Sequence, residues 1–504
     1  MLYQQRQVAY QHKLEAIVQL ANRWQALINE QEEWSELASL LKTFSEFAEG
    51  YLGLLAKIPD EISRPQFALN KGVDKLLDEW NALSRACEQR LETGQNRGLP
   101  GNLKGARRIL QAYCNSWNGA RVNDPYLKLT DPVVYFEKVY RLSRSVYAPN
   151  IPLLSIPLTD FEPGYIFSES DTHTPRWPAL AHEFGHHIFW NALDLQNTEV
   201  MQAEMLADVS EAVMEGARTK KDVTGLEKIQ LTGQAFEKAR VWGQWLEEVF
   251  ADICGALLEG LAYARSAQDI AAERARIVDN LIPSDHLHPS PYLRPLIALE
   301  VVRKIAEYSQ SEAFRNGLYR EIERLKGRWQ ALCGDIGQKM YPDTTLTMQD
   351  LENDIQPVVE IILTKGYWPK TTKTLISRLG EYSEKIILSQ LATLADLEPL
   401  PSLPVSNEKS EGVLAKVSGQ LSTPLDENIP EVLKATWMHL KAKVNDSSLN
   451  TQQKALAHWS LLLGLNLSDV HFHNTNHGCR RHIYYWPCHT HDVYTGDPIR
   501  GCSC

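Results

Sequence analysis

The chain has 504 residues and a net charge of −11, from 52 Lys and Arg against 63 Asp and Glu. Hydrophobic residues make up 43% and charged residues 23%, the balance of a globular protein long enough for two or three domains and a large core. This excludes a disordered, collagen-like or coiled-coil chain, and the acidic balance argues against nucleic acid or an anionic membrane surface as the partner. Eight Cys are too few for a disulfide scaffold of this length. The first twenty residues mix Gln, Arg, Lys and Glu with apolar side chains and do not read as a signal peptide. No stretch reaches the roughly 18 apolar residues that span a bilayer, so the expected location is the cytoplasm.

In chain order, helical periodicity comes first. Leu14, Ile17, Val18, Ala21, Trp24, Leu27 and Ile28 recur at helical spacing, and so do Trp34, Leu37, Leu41, Phe44, Phe47, Tyr51 and Leu55, up to Pro59. A third helix carries Leu76, Leu77, Trp80 and Leu83. Residues 93–105 are Gly-rich but lack the Gly-Lys-Ser/Thr ending of a phosphate-binding loop, so they read as a plain loop. Near Tyr147 the texture changes. Residues 151–158 and 164–167 are short apolar runs broken by Pro and Gly, as in strands. Helical periodicity returns at Pro178 and continues, with breaks, to about Leu394. Pro399, Pro401 and Pro404 mark a linker, and residues 430–465 form one more helical segment. The domains read as a helical N-terminal region (1–140), a central region of mixed texture (141–395), a linker (396–430) and a helical C-terminal extension (431–504).

The strongest chemical signal is His182-Glu183-Phe184-Gly185-His186. On a helix, positions i and i+4 share a face, so two imidazoles can meet one zinc ion at about 2.0–2.1 Å. Glu183 sits beside them, placed to take a proton from a water. Pro178 suits a first helical turn, and Ala179, Leu180, Ile188 and Phe189 suit burial. His187 directly follows the motif and is read as structural. A third ligand must come from elsewhere. Two downstream segments offer a Glu followed one turn later by an Asp: Glu204-Met205-Leu206-Ala207-Asp208 and Glu248-Val249-Phe250-Ala251-Asp252. In each, the Glu can bind metal and the Asp can accept the second ring N–H of a ligand His.

His182 to His186 followed by Glu248 to Asp252 resembles the gluzincin metallopeptidases. The likeness is closer to the branch of prenyl-protein endopeptidases and membrane heat-shock proteases. That branch adds a His-Pro-Pro segment ending in Arg, and His288-Pro289-Ser290-Pro291-Tyr292-Leu293-Arg294 stands in the corresponding order. The resemblance covers about residues 145–300. Two departures stand out: the branch is typically embedded in membranes, and Ser290 replaces its second Pro, so a prenylated substrate is not carried over.

The resemblance implies a mainly α fold with an α+β, zincin-like core and a small sheet. It implies one catalytic Zn²⁺ held by His182, His186 and Glu248, with Asp252 behind a ligand His. Glu183 is then the general base, with His288 and Arg294 steadying developing negative charge or serving as a helix cap and an ion pair. Tyr165 and Tyr292 are weaker candidates for that task. Glu248 is preferred to Glu204 because Leu246, Val249, Phe250, Ile253, Leu257 and Leu258 surround it with an apolar helix face. The residue pattern leaves Glu204 open as the third ligand, and with it an aminopeptidase-type exopeptidase. By analogy with zincins, residues 151–160 border the cleft and pair with the backbone of a protein or peptide substrate. A zinc-binding scaffold that has lost turnover is a further alternative, against which the presence of Glu183 argues.

The last 34 residues hold Cys479, Cys488, Cys502 and Cys504 with six His. They read as a second, structural zinc site, an inhibitory tail whose thiolate reaches the catalytic metal, a disulfide-prone or disordered tail, or a recognition segment built on Tyr484, Tyr485 and Trp486. The tail and the N-terminal helices are also candidate sites for a regulatory protein partner.

Overall fold

The computed structural model describes residues 2–28, 34–57, 64–90, 99–119, 128–157, 178–193, 195–218, 226–274, 288–309, 311–367 and 374–395. Tyr165, the linker, the helical segment at 430–465 and the Cys/His tail, with its expected second zinc site, lie outside them. The described residues are mainly helical, with one small sheet.

Four helices open the chain: α1 (Leu2–Ile28), α2 (Ser35–Leu55), α3 (Arg64–Glu88) and α4 (Leu99–Gly119). The first three follow the expected periodicity. Leu14, Ile17, Ala21 and Trp24 of α1 are buried with Leu37, Leu41 and Phe44 of α2, and Trp24 stacks on Trp80 of α3 at 5.6 Å between centroids. The fourth begins inside the Gly-rich stretch read as a loop. Leu103, Ala106, Leu110, Tyr113 and Trp117 form its buried stripe, which outweighs the poor propensity of the glycines in its first two turns.

Three strands follow: β1 (Val133–Glu137), β2 (Arg141–Ser143) and β3 (Leu153–Pro157). Their order is β1-β3-β2, with β1 parallel and β2 antiparallel to β3. The sheet therefore draws on residues on both sides of position 140. β1 was not foreseen, although Val133, Val134, Tyr135 and Phe136 are strong strand formers. The expectation for residues 151–160 is corrected here. β3 lies in the centre of the sheet with a strand on each side, so it has no edge to offer a peptide. The outer edge of β1 is also taken: Gln89 pairs with both the N–H and the C=O of Phe136, and Arg90 donates to the Val134 carbonyl. Among the described residues, no strand pairs with the outer edge of β2, which lies against α5.

Nine α-helices and a short 3-10 helix (Ile336–Gln338) complete the described chain: α5 (Pro178–Asn191), α6 (Leu195–Arg218), α7 (Leu226–Gln244), α8 (Leu246–Arg274), α9 (Arg294–Tyr308), α10 (Glu312–Cys333), α11 (Met348–Glu352), α12 (Ile355–Thr364) and α13 (Leu375–Ala395). α8 packs most extensively on α5 and α9. A Cβ on Gly185 would lie 2.6 Å from Ala251 Cα, so the motif's glycine and the small residue between Glu248 and Asp252 let the two backbones approach. α8 is broken at Gly260, whose φ of 54° and ψ of −128° suit glycine. None of the described helices is long and apolar enough to cross a membrane.

Candidate metal centre

α5 presents His182 and His186 on the face that meets α8. Their Nε2 atoms lie 3.1 Å apart. Glu248 brings Oε2 to 3.3 Å from His182 Nε2 and Oε1 to 3.5 Å from His186 Nε2. A tetrahedral ion with bonds of about 2.0–2.1 Å keeps its ligands about 3.3 Å apart. The three donors therefore fit one such ion, and they form the one group with metal-holding geometry among the described residues.

Each imidazole is aimed by a carboxylate on its other nitrogen. His182 Nδ1 lies 3.0 Å from Asp252 Oδ1, and His186 Nδ1 lies 2.9 Å from Glu247 Oε1. A carboxylate can only accept, so each Nδ1 carries a proton, and each Nε2 is left facing Glu248, where loss of its own proton would free a lone pair for a metal. Asp252 is held in turn by Arg294, which donates from Nε at 2.9 Å and from a terminal nitrogen at 2.7 Å. Tyr263 donates to the same carboxylate at 2.5 Å. Its ring folds back over Gly255, where a Cβ would fall 2.4 Å from the ring, and this carries the hydroxyl to Asp252 from beyond the Gly260 break. Glu247 is fixed by Trp190 Nε1–H at 2.7 Å. Glu247, Trp190 and Tyr263 were not foreseen. Glu247 adjoins Glu248 in sequence, and only the placement of α5 against α8 gives it a histidine to orient.

The electrostatics are those of a tightly coupled buried cluster. Burial opposes charge on Glu248, but His186, His182 and Arg294 outweigh it and hold the carboxyl well below its ordinary range. Burial likewise opposes charge on His186, yet Glu248 and Glu247 lift it to about 10. Asp252 is drawn down to about 2 against its burial, chiefly by Arg294 and His182. His187, by contrast, is pushed down to about 4 by burial, and it is tied to the Thr130 carbonyl and Asn191, in keeping with its structural reading.

Glu183 is buried, and its Oε2 accepts the Leu142 backbone N–H at 2.9 Å, which sets the expected base against the outer edge of β2. His288 Nε2 stands 3.5 Å from Glu248 Oε1. Arg294 abuts His182 and spends two N–H groups on Asp252. Tyr292 turns away from the centre and donates to Glu352 at 2.5 Å. Ser290, which replaces a proline of the resemblance, keeps the turn before α9. Its hydroxyl accepts from Tyr292 N and its carbonyl from Leu293 N, so the segment still delivers Arg294. The alternative ligand Glu204 is exposed on α6, away from the three-donor group, and Asp208 pairs with Lys365 beyond α12.

Comparison with protein-family models, with curated proteins and with solved structures finds no match.

Proposed function

We propose that this chain is a zinc-dependent metallopeptidase of zincin-like architecture, with a protein or peptide as substrate. The observation that carries the reading is the convergence of His182, His186 and Glu248 at tetrahedral spacing, with Glu183 beside them at a strand edge. When bound by these residues, Zn²⁺ supplies Lewis acidity: it polarises a carbonyl and lowers the pKa of a water toward about 7. The chain's own groups do the rest. Asp252 and Glu247 fix the ring orientations. Glu183 takes a proton from water on its carboxylate as the oxygen adds to the scissile carbonyl carbon, and returns that proton to the amine nitrogen as the C–N bond breaks.

The peptide lies along the outer side of β2, where no strand is paired among the described residues, and this brings its backbone to Glu183. His288 steadies the negative charge that develops on the carbonyl oxygen. Arg294 is a positioning residue, since two of its N–H groups hold Asp252 and through it His182. The test is a search for new peptide termini in a complex peptide mixture incubated with the zinc-loaded protein and, in parallel, with Glu183→Gln. Termini made by the wild type alone support the reading. A zinc-loaded wild type that produces none contradicts it.

A further inference from the structure

Glu183 accepts the Leu142 N–H of β2, and cationic side chains stand on the strand and just before and after it. Lys138, Arg141 and Arg144 fall within seven residues of a chain whose net charge is −11. Among the described residues, none of the three side chains has an ion pair or a hydrogen bond. Arg144 is the unusual one. Its Nε is buried and meets no acceptor, and burial lowers its pKa with nothing anionic to offset it.

The carboxylates nearby are committed elsewhere. Glu79 accepts from Ser145 and Val146 and pairs with Lys75. Glu137 pairs with Arg85, Asp131 with Arg107, and Glu183 holds Leu142 N. The titratable group on α5 that feels the Arg144 charge is His187, whose ring already serves Thr130 and Asn191. A guanidinium is a planar fork that matches a carboxylate, and one kept partly dry without an anion is poised to take one from a ligand. Position fixes where. Arg144 follows Leu142 by two residues and stands one past the end of β2, so it lies no more than about 7 Å along the chain from it. A peptide paired with β2, its scissile bond at Glu183, sets a residue some two positions from that bond opposite Arg144.

We infer that Arg144, flanked by Arg141 and Lys138, selects peptides that carry a carboxylate two or three positions from the bond presented to Glu183. This rests on the peptidase reading and names its substrate class. The carboxylate belongs either to an acidic side chain or to a free C-terminus, and three fluorescent peptides of one neutral sequence separate these sources. One is amidated, one is amidated with a single Glu at that distance, and one has a free C-terminus there. Binding is followed by anisotropy to the zinc-loaded full chain carrying Glu183→Gln, which still accepts from Leu142 N but does not cut.

At least one carboxylate peptide binds about tenfold or more tightly than the neutral one. Arg144→Gln removes that advantage at an unchanged melting temperature, and Arg144→Lys restores part of it. Equal affinity for all three, an advantage untouched by Arg144→Gln, or no measurable binding of any peptide overturns the inference. A carboxylate preference in binding, with no cleavage by the wild type, would sink the peptidase reading and leave Arg144 recognition standing. Cleavage by the wild type without that preference would do the reverse.

Discussion

Residues 204–208 and 248–252 share one pattern, a Glu followed one turn later by Ala-Asp, and the fold puts them to different uses. On α8, Glu248 is largely covered and Asp252 fully buried against α5, facing two histidines and Arg294. On α6, Glu204 is exposed and Asp208 meets Lys365. What separates the two is the neighbouring helix. Ala251 lies against Gly185, so the α8 carboxylates can reach across a very short gap between helices. A ligand pattern becomes a centre only where the backbone lets another element come that close.

The largest expected effect separates the two segments outright. Glu248→Gln removes one of three donors, and zinc held after dialysis falls by about one equivalent per chain, whereas Glu204→Gln leaves it unchanged; elemental analysis checks both. One step back, Asp252→Asn and Glu247→Gln weaken zinc affinity about 10–100-fold, measured by competition with a chelator, while Asp208→Asn has no effect.

A third contrast lies within α8. Glu248 and Asp252 face cations, whereas Glu259 is buried against the Tyr113 hydroxyl and raised to about 7 from 4.5. Between those values the folded state binds more protons than the unfolded one. Stability therefore falls as pH rises through that window, by up to about 3 kcal/mol. Glu259→Gln should flatten this slope in denaturant titrations at pH 5 and 8.

Smaller still, Gly185→Ala should cost about 1–3 kcal/mol through overpacking against Ala251 and loosen zinc with it. Gly233→Ala on α7, where nothing lies within 4 Å, should instead stabilise by about 0.5–1 kcal/mol. The smallest effect belongs to the other Ala-Asp segment: Lys365→Met should cost no more than about 1 kcal/mol, since the Lys365 side chain is half exposed.

Local patterns were legible in the sequence. The stripes of α1, α2 and α3, the i, i+4 histidines and the Glu248/Asp252 turn all lie within one helix each, where spacing alone sets the face. What was hidden depends on contacts between distant segments. β3 took the centre of the sheet because β1, from before position 140, pairs with one side of it and β2 with the other. Glu247 gained its role from Trp190 and His186 on another helix, and Tyr263 from a break at Gly260 that periodicity does not reveal. The Leu142 N–H that meets Glu183 is a backbone group, which no side-chain pattern announces.

The central claim is a single ion held between α5 and α8. Anomalous diffraction at the zinc edge, from crystals of the zinc-loaded chain, tests it most directly. The account predicts a peak about 2.0–2.1 Å from His182 Nε2, His186 Nε2 and a Glu248 carboxylate oxygen. A zinc peak elsewhere with none between these three side chains would contradict it.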